Sequence, residues 1–361
     1  MKLKNIFSGK NVFVTGHTGF KGSWLCEWLL SLGANVYGYS LEPPTKPSLF
    51  GKLNLKNRIA SHVIGDVRSR EELSKAINDA QPDFVFHLAA QPLVRLSYEC
   101  PVETFDTNVM GTVNVLNALR VFKKDCICVC ITTDKCYQNK EWLHAYRESD
   151  PMGGHDPYSA SKGAAEIVIS AYKNSFFHKS DGNVWVVSAR AGNVIGGGDY
   201  ALDRIVPDCV KALTCGNAIP VRNKVSTRPW QHVLEPLGGY LTLAGTLAEA
   251  KVRKDRLAFE RISGGFNFGP VLTSNKTVAE LVQEIIKNWG SGTWEDKSNP
   301  NAVHEAQLLN LATDKAFHLL GWKPCWDFEK TIQETIAWYL ADLRGNDMIE
   351  FTQKQIAKFN F

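Results

Sequence analysis

The chain has 361 residues, of which 44% are hydrophobic and 22% are charged, and its formal net charge is +4 at neutral pH. This length accommodates two fused lobes, and the composition excludes a disordered chain. The richest basic cluster, residues 251–261, mixes both signs of charge, so we expect no nucleic-acid partner. No apolar run approaches the ~20 residues of a membrane-spanning helix, so we expect no membrane partner.

The first half of the sequence alternates short apolar runs with amphipathic segments. We predict strands at residues 11–16, 35–40, 61–67, 83–90, 126–133 and 184–196. We predict helices at residues 23–33, 70–80, 104–122 and 159–177. Apolar strands that alternate with helices are typical of a parallel sheet covered on both faces. The predicted fold class is therefore α/β, with a Rossmann-like doubly wound parallel sheet.

The second half is richer in glycine and proline, and we interpret it as a smaller mixed α/β lobe. Helices are predicted near residues 203–215, 233–250, 277–289 and 327–343, and short strands at 218–221 and 264–269. The 233–250 helix is expected to pack back on the large sheet. The predicted domains are therefore 1–192 plus about 232–262 for the Rossmann domain, and about 193–231 plus 263–361 for the second lobe.

Nine cysteines are present, but the number is odd and no CxxC pair occurs. We therefore predict neither a disulfide framework nor a metal site. Cys126, Cys128 and Cys130 alternate along one predicted strand, which is typical of small buried side chains. The N-terminal residues lead directly into a strand without a signal-peptide core, so we expect a cytoplasmic protein.

A glycine-rich loop, VTGHTGFKG, joins the first predicted strand to the first predicted helix. Its GxxGxxG spacing permits a tight turn and a close approach of the backbone to a pyrophosphate. We therefore predict a dinucleotide site that includes Gly16, His17, Thr18, Gly19, Phe20, Lys21 and Gly22. At the end of the second strand, Ser40 occupies the position of the acid that binds an NAD ribose. No arginine is present there for the extra phosphate of NADP, which favours NAD.

The segment YSASK places Tyr158 and Lys162 four residues apart on a predicted helix, where both side chains share one face. A tyrosine is a poor base unless neighbouring cations lower its pKa, so the pair is typical of a catalytic base beside an ammonium. Upstream, Thr132, Thr133 and Asp134 end the fifth predicted strand beside Lys135. Aspartate and lysine are poor in a strand interior, which indicates a function at the strand end.

The motifs TGHTGFKG, HLAAQ, NVMGT, TTDK and YSASK occur in this order, and RAGNVIG, RPWQHV and FNFGP follow in the second lobe. With them the chain resembles the extended short-chain dehydrogenases/reductases that act on nucleotide sugars, over almost its full length. The resemblance implies NAD as cofactor, and Asp134 implies a 4,6-dehydratase. It also implies CDP-glucose as the substrate and a role in deoxysugar and lipopolysaccharide precursor synthesis.

The resemblance extends to individual site residues. It implies further cofactor contacts from Asp66, Val67, Leu88, Ala89, Ala90, Asn108 and Thr132. It implies substrate contacts from Gln91, Asn193, Arg204, Arg222 and Arg228, since arginine suits phosphate oxygens. His17 departs from the family pattern, and it either crowds the phosphates or donates a hydrogen bond to them. A homodimer or homotetramer is implied, through helices 104–122 and 159–177.

The implied reaction gives each catalytic candidate a role. Tyr158 takes the proton of the sugar 4-hydroxyl while Thr133 hydrogen-bonds the same oxygen, and Asp134 protonates the departing 6-hydroxyl. Lys135 stands where the dTDP-glucose enzymes have glutamate. It either removes the C5 proton as a neutral amine or stays charged and stabilises the enolate while another group removes that proton.

Three alternatives are weaker. A 4-epimerase needs no acid for the 6-oxygen, so Asp134 argues against it. A GDP-mannose dehydratase would favour NADP and arginines after the second strand. A non-catalytic cofactor-binding scaffold would not need Tyr158, Lys162 and Asp134 together.

Overall fold

The structure is a computed structural model, and it describes residues 3–177, 182–298 and 308–359. The strands of the first half are β1 Asn11–Thr15, β2 Asn35–Ser40, β3 Ser61–Ile64, β4 Phe84–His87, β5 Cys126–Ile131, β6 Val184–Ala191 and β7 Val194–Ile195. Those of the second half are β8 Ile219–Val221, β9 Thr227–Pro229, β10 Gln231–His232, β11 Gly265–Phe268, β12 Asn275–Thr277 and β13 Trp294–Asp296.

Helices connect these strands. Up to residue 177 they are α1 Leu3–Phe7, α2 Phe20–Ser31, α3 Leu49–Lys52, α4 Arg70–Ala80, α5 Val94–Glu99, α6 Pro101–Phe105, α7 Gly111–Arg120 and α8 Pro157–Tyr172. Beyond it they are α9 Ile205–Thr214, α10 Leu234–Val252, α11 Arg256–Ile262, α12 Val278–Trp289, α13 Asp314–Leu320, α14 Phe328–Leu343 and α15 Met348–Lys358. Among the described residues, no helix is long and apolar enough to cross a bilayer.

A seven-stranded sheet with the order β11-β6-β5-β4-β1-β2-β3 forms the centre of the fold, and all its pairings are parallel. The chain builds outward from β1 to β3 on one side and from β4 to β6 on the other. The direction of winding therefore reverses between β1 and β4. In open parallel sheets, ligands bind in the crevice at this reversal, outside the carboxyl ends of the strands.

The two faces of the sheet bury different sets of side chains, as β5 illustrates. Cys126, Cys128 and Cys130 pack with α4, α7 and α8, whereas Ile127 and Val129 face the larger core with α2 and α10. The prediction that the three cysteines act as small buried side chains is confirmed. The doubly wound α/β fold is confirmed as well.

Several predicted elements differ from those observed. The predicted helix 104–122 begins at Pro101 and passes through a π-helical turn, Asp106–Met110, before α7. The predicted strand 184–196 stops at Ala191, and Val194–Ile195 forms a separate strand, β7, that pairs with β10. The strand within 264–269 was assigned to the second lobe, but β11 pairs with β6 and becomes the edge of the large sheet.

Helix α10 confirms the expectation that the 233–250 segment packs back on the large sheet. It contacts β5, β6 and β11. A side chain at Gly239 would overlap the ring of Phe268 on β11, which shows how closely helix and sheet approach. The proposed division into two domains stays a prediction.

Candidate active site

Four loops meet at the carboxyl edge of the parallel sheet, because each follows one of its central strands. They are residues 16–19 after β1, 88–93 after β4, 132–138 after β5 and 192–199 after β6. These loops and the start of α8 carry most of the predicted site residues. The parallel topology therefore brings separate sequence motifs to one crevice.

The glycine loop forms a tight turn directly before α2. Gly16 has φ of +75°, and a Cβ on it would lie 2.7 Å from the backbone nitrogen of Ala89. The first N–H groups of α2 have no side-chain cap. An uncapped helix N-terminus behind a glycine turn suits a pyrophosphate, so this cradle fits a dinucleotide. Leu88 and Ala89 donate their backbone N–H groups to Thr15, which fixes the opposite wall with Ala90.

Ser40, at the end of β2, is joined to this loop by hydroxyl groups. Its Oγ lies 2.9 Å from Thr18 Oγ1, and Thr18 donates to the carbonyl of Leu41 at 2.9 Å. The Thr18 proton is thereby used, so Ser40 donates to Thr18 and keeps lone pairs for a ribose hydroxyl. Asp66, after β3, is instead paired with Arg68 at 2.6 Å, which lowers the pKa of its carboxyl.

The His17 side chain does not line the crevice. It is fully buried over Gly38, and its Nε2 lies 2.7 Å from Nδ1 of His62. Burial, with a smaller effect of His62, lowers the pKa of His17 to about 3, so the ring is neutral. The sequence left two alternatives, that the ring crowds the cofactor phosphates or that it donates a hydrogen bond to them. Neither fits a ring in this position. Any contact of His17 with a cofactor must come from its backbone.

Asn108 and Gln91 were expected to bind cofactor and substrate, but their amides are used within the protein. Asn108 accepts from the backbone N–H of Gln91 at 2.8 Å and donates to Ser161 at 2.9 Å. The Gln91 amide donates to Thr104 at 2.9 Å and accepts from the N–H of Leu93 at 2.6 Å. Both side chains thus clamp the loop after β4 to the neighbouring helices. Val67 is buried and packs against Gly111.

Helix α8 presents Tyr158 and Lys162 to the crevice. Asp156 caps the helix by accepting from the N–H of Ser159 at 2.9 Å, and Pro157 occupies its first turn. Burial lowers the pKa of Lys162 to about 8, although Glu166 raises it. Burial also raises the pKa of Tyr158 to about 12, although a hydrogen bond with Thr133 lowers it. The sequence predicts a lowered pKa for Tyr158, and these side chains alone do not produce it.

The Asp134 side chain is buried between Thr133 and Gly192. Its Oδ1 accepts from Thr133 at 2.9 Å, and its Oδ2 has no partner among the described residues. Gly192 leaves room for this carboxyl, because a Cβ there would lie 2.8 Å from Oδ2. Burial raises the pKa of Asp134, with Lys135 the main opposing group. The direction agrees with the neutral acid expected from the sequence.

Two lysines flank this acid. Lys135 is half-buried in the single helical turn that follows Thr133. Lys21, expected to bind cofactor, places its ammonium 3.5 Å from the hydroxyl of Tyr240. Burial lowers the pKa of Lys21 to about 7, with Arg204 and Lys162 acting in the same direction. Lys21 therefore belongs electrostatically to the catalytic group.

The arginines divide into two sets. Arg204 and Arg228 lie close enough to the catalytic group to lower the pKa values of Tyr158 and Asp134, respectively. Arg222 instead pairs with Asp203 and Asp208 at the surface. Asn193 is half-buried in the loop after β6.

Sequence reasoning did not identify several residues that support the site. Gly192 accommodates Asp134, and Ser97 accepts from the backbone N–H of Tyr158 at 3.1 Å. Glu166 accepts a hydrogen bond from Thr132. A signal for Glu166 was present, because it continues the four-residue spacing of Tyr158 and Lys162.

Comparison with known proteins places the chain in a family. The family model described as GDP-mannose 4,6 dehydratase matches residues 13–335. CDP-glucose 4,6-dehydratase of Salmonella typhimurium is 47% identical over 99% of this chain and 98% of the relative.

Solved structures agree in fold. The UDP-glucose 4-epimerase of Thermotoga maritima, solved with UDP-glucose, is 19% identical and has a TM-score of 0.76, with coverage of 92% of this chain and 99% of its own. The dTDP-glucose 4,6-dehydratase of Bacillus anthracis, solved in complex with NAD, is 21% identical and has a TM-score of 0.73, with coverage of 94% and 100%. By its sequence match and its fold, the chain belongs to the GDP-mannose 4,6 dehydratase family of extended short-chain dehydrogenases/reductases.

Proposed function

We propose that the protein is an NAD-dependent hydro-lyase that converts CDP-glucose to CDP-4-keto-6-deoxyglucose. The observation that carries the proposal is the 47% identity, over 99% of the chain, with a CDP-glucose 4,6-dehydratase. The site supports it chemically, because a buried acid, a tyrosine and two lysines converge at the crevice of the sheet. An epimerase would have no use for the unpartnered carboxyl oxygen of Asp134.

The cofactor fits the loop after β1 and the end of β2. When bound, NAD would supply the hydride acceptor for sugar C4 and the hydride donor for C6, together with a positive charge at the site. The glycine turn and the uncapped α2 terminus would hold the pyrophosphate. Ser40 would accept from a ribose hydroxyl, and Asp66 would lie near the adenine.

The first steps of the reaction belong to Tyr158, Thr133 and Lys162. Tyr158 removes the proton of the sugar 4-hydroxyl, and Thr133 hydrogen-bonds the oxygen that becomes the ketone. Lys162, an ammonium one helical turn away on the same face, favours the charged phenolate. The pKa of Tyr158 is raised to about 12, mainly by burial, so the positive charge of the bound cofactor is needed for the base to act near neutral pH.

Loss of water belongs to Asp134 and Lys135. The C4 ketone acidifies the C5 hydrogen, and removal of that proton by Lys135 provides the electron pair that expels the 6-hydroxyl. Asp134, whose pKa burial raises, would serve as the acid that donates the proton with which this oxygen leaves as water. Lys135 then returns a proton to C5. Arg228 and Asn193 would bind the diphosphate of the substrate, with Arg204 beside them.

The proposal is tested by incubating the purified full chain and NAD with CDP-, dTDP- and UDP-glucose and with GDP-mannose. A 4-keto-6-deoxy product from CDP-glucose, with at least tenfold lower kcat/KM for the other three, is expected. Preference for GDP-mannose or a 4-epimer as product would overturn the assignment.

The identity of residue 40 leads to a prediction on cofactor affinity. The wild type should bind NAD more tightly than NADP. Its affinity for NAD should nevertheless be modest, because Ser40 offers a ribose hydroxyl only an uncharged acceptor. A charged acceptor forms stronger hydrogen bonds, so Ser40→Asp should tighten NAD binding by roughly tenfold, or ~1.4 kcal/mol. Calorimetry with both cofactors measures this. Ser40→Asn is the neutral control, and tighter NADP binding by the wild type would contradict the prediction.

Oligomerisation is proposed through the outer faces of α6 and α8, which contact each other. Val102 on α6 is 75% exposed and Ile167 on α8 is 62% exposed, and Phe105 at the end of α6 and Phe176 in the turn after α8 are exposed as well. We propose that a second copy of the chain covers this apolar surface. Ile167→Glu should then shift the mass measured by sedimentation toward the monomer. Leu257→Glu, which replaces an equally exposed residue on α11, is the control and should leave the mass unchanged.

A further inference from the structure

A buried ion pair joins the face of α8 that carries Tyr158 and Lys162 to strand β6. Arg190 Nη2 is 2.7 Å from Glu166 Oε2, and neither side chain is more than 5% exposed. Ser188 donates to the same oxygen at 2.8 Å, and Thr132 donates to the other carboxylate oxygen. Burial raises the pKa of Glu166, but these donors outweigh burial and the net pKa is lowered. The carboxylate is therefore charged inside the protein.

The spacing of these residues along the chain matches the repeat of the helix and of the strand that carry them. Tyr158, Lys162 and Glu166 are spaced four apart and share one face of α8. Ser188 and Arg190 are two apart on β6 and point to the same face of the sheet. Glu166 thus joins β6 to the end of β5.

Arg190 is itself held in a network of buried hydrogen bonds. It donates to the hydroxyl of Tyr137 at 2.7 Å, and Tyr137 donates to Asn267 on β11 at 2.7 Å. The ion pair is therefore rigidly anchored to the edge of the sheet. Such buried pairs are weak evidence for stability, since an apolar pair of similar size often stabilises as well. A functional reason for the charge is therefore worth testing.

Lys162 lies one helical turn from Glu166 on the same face of α8, where a negative charge favours its ammonium form. It is fully buried, which works against its ammonium form. Glu166 is the main group that favours the ammonium. The other titratable groups that interact with Lys162 are Cys130 on β5, Cys136 in the turn after it, Lys21 on α2 and His87 on β4. Glu166 is the only carboxylate among these groups, and its charge is secured by Arg190.

We propose that Glu166 is a positioning residue of the reaction, which keeps the ammonium of Lys162 charged and anchors Thr132 beside the catalytic Thr133 and Asp134. Arg190 acts one step further away by holding the Glu166 carboxylate. The inference rests on the proposed function for its catalytic meaning. The charge of Lys162 can nevertheless be measured without any turnover. Failure of the inference on Glu166 therefore does not imply failure of the proposed function, and the reverse also holds.

The direct test is an NMR titration of the full chain carrying ¹³C-labelled lysine, with the Lys162 signal assigned by its loss in Lys162→Arg. In the wild type Lys162 should titrate near pH 8 and be mostly charged at neutral pH. Removing the Glu166 charge lowers the pKa of Lys162, so the midpoint in Glu166→Gln should fall by at least about one pH unit. An uncharged Lys162 in the neutral wild type, or an unchanged midpoint in folded Glu166→Gln, overturns the proposal.

The pH profile of kcat/KM for CDP-glucose gives the second readout. The decline of activity at high pH should begin at least about one unit lower in Glu166→Gln, while Glu166→Asp, which keeps the charge, should restore the wild-type decline. Ser188→Ala is the matched control: it removes one hydrogen bond from the same carboxylate but no charge, and should leave the profile in place. A uniform loss of activity at all pH values in Glu166→Gln would indicate a merely structural role.

Glu166→Gln leaves Arg190 buried without its partner, which can prevent folding. The double variant Glu166→Gln/Arg190→Gln removes both charges and avoids that penalty. Its Lys162 midpoint and its high-pH decline should also lie below those of the wild type. Wild-type values in the double variant would overturn the proposal.

Discussion

A Tyr158→Phe variant is expected to lose turnover of CDP-glucose by roughly 10²–10⁴-fold, the usual contribution of a general base. The phenyl ring fills the same volume, so the fold and the packing at the start of α8 are retained. The variant has no group to accept the proton of the sugar 4-hydroxyl, so the C4 oxidation that begins the reaction cannot proceed. Loss of the hydroxyl should leave NAD affinity nearly unchanged, because the glycine loop is untouched.

Stopped-flow and steady-state assays of product formation measure this effect. Tyr146→Phe is a matched control: it also removes a buried hydroxyl, which accepts from the N–H of Lys140 at 2.6 Å, but it lies outside the catalytic group. The control should lose stability rather than turnover. Near-normal turnover by Tyr158→Phe would refute the assignment of the base.

Local sequence patterns predicted the elements that depend on local contacts. The helix predicted at residues 70–80 and the strand at 35–40 coincide with α4 and β2, because hydrophobic period and turn residues lie within each segment. The placement of β11 could not be predicted. Its four residues carry no information on which strand edge they join, and the pairing with β6 is decided by tertiary packing.

The same limit applies to the site. The motifs identified Tyr158, Lys162 and Asp134, since each requires only a residue type at a given spacing. They could not show that the amides of Asn108 and Gln91 bind protein groups, or that the His17 ring turns under β2. A hydrogen-bond partner far along the chain leaves no trace in a single sequence. Residue types therefore indicated the chemistry, whereas the hydrogen-bond partner of each side chain could be read only from the structure.

Asp134 shows how the fold prepares a side chain for one reaction. The carboxyl is buried by the ends of β5 and β6, and only a glycine at position 192 leaves space for it. One oxygen accepts a hydrogen bond from Thr133, and the other, which is buried beside Gly192, has no partner among the described residues. In the proposed reaction this carboxyl would protonate the leaving 6-oxygen, a step that is absent from a reaction limited to C4.

Replacing Lys135 by methionine should separate the two halves of the reaction. Oxidation at C4 needs only Tyr158, Thr133 and Lys162, so the 4-keto sugar should still form and be trapped with hydroxylamine. Loss of water requires the electron pair released at C5, so no 4-keto-6-deoxy product should appear, and solvent deuterium should not enter C5. Lys135→Glu should recover part of the activity, since a carboxylate can also serve as the C5 base.

The lysine on α2 provides the matched comparison for this prediction. Lys21→Met removes a second buried amine from the same crevice, and if Lys135 is the base, C5 exchange should continue in that variant. Turnover of Lys135→Met within tenfold of the wild type, a difference of about 1.4 kcal/mol in barrier, would contradict the assignment. The base would then lie elsewhere, and Lys21, whose pKa burial lowers to about 7, would be the first group to consider because its amine is partly neutral at physiological pH. Loss of C5 exchange in Lys21→Met but not in Lys135→Met would make that reassignment.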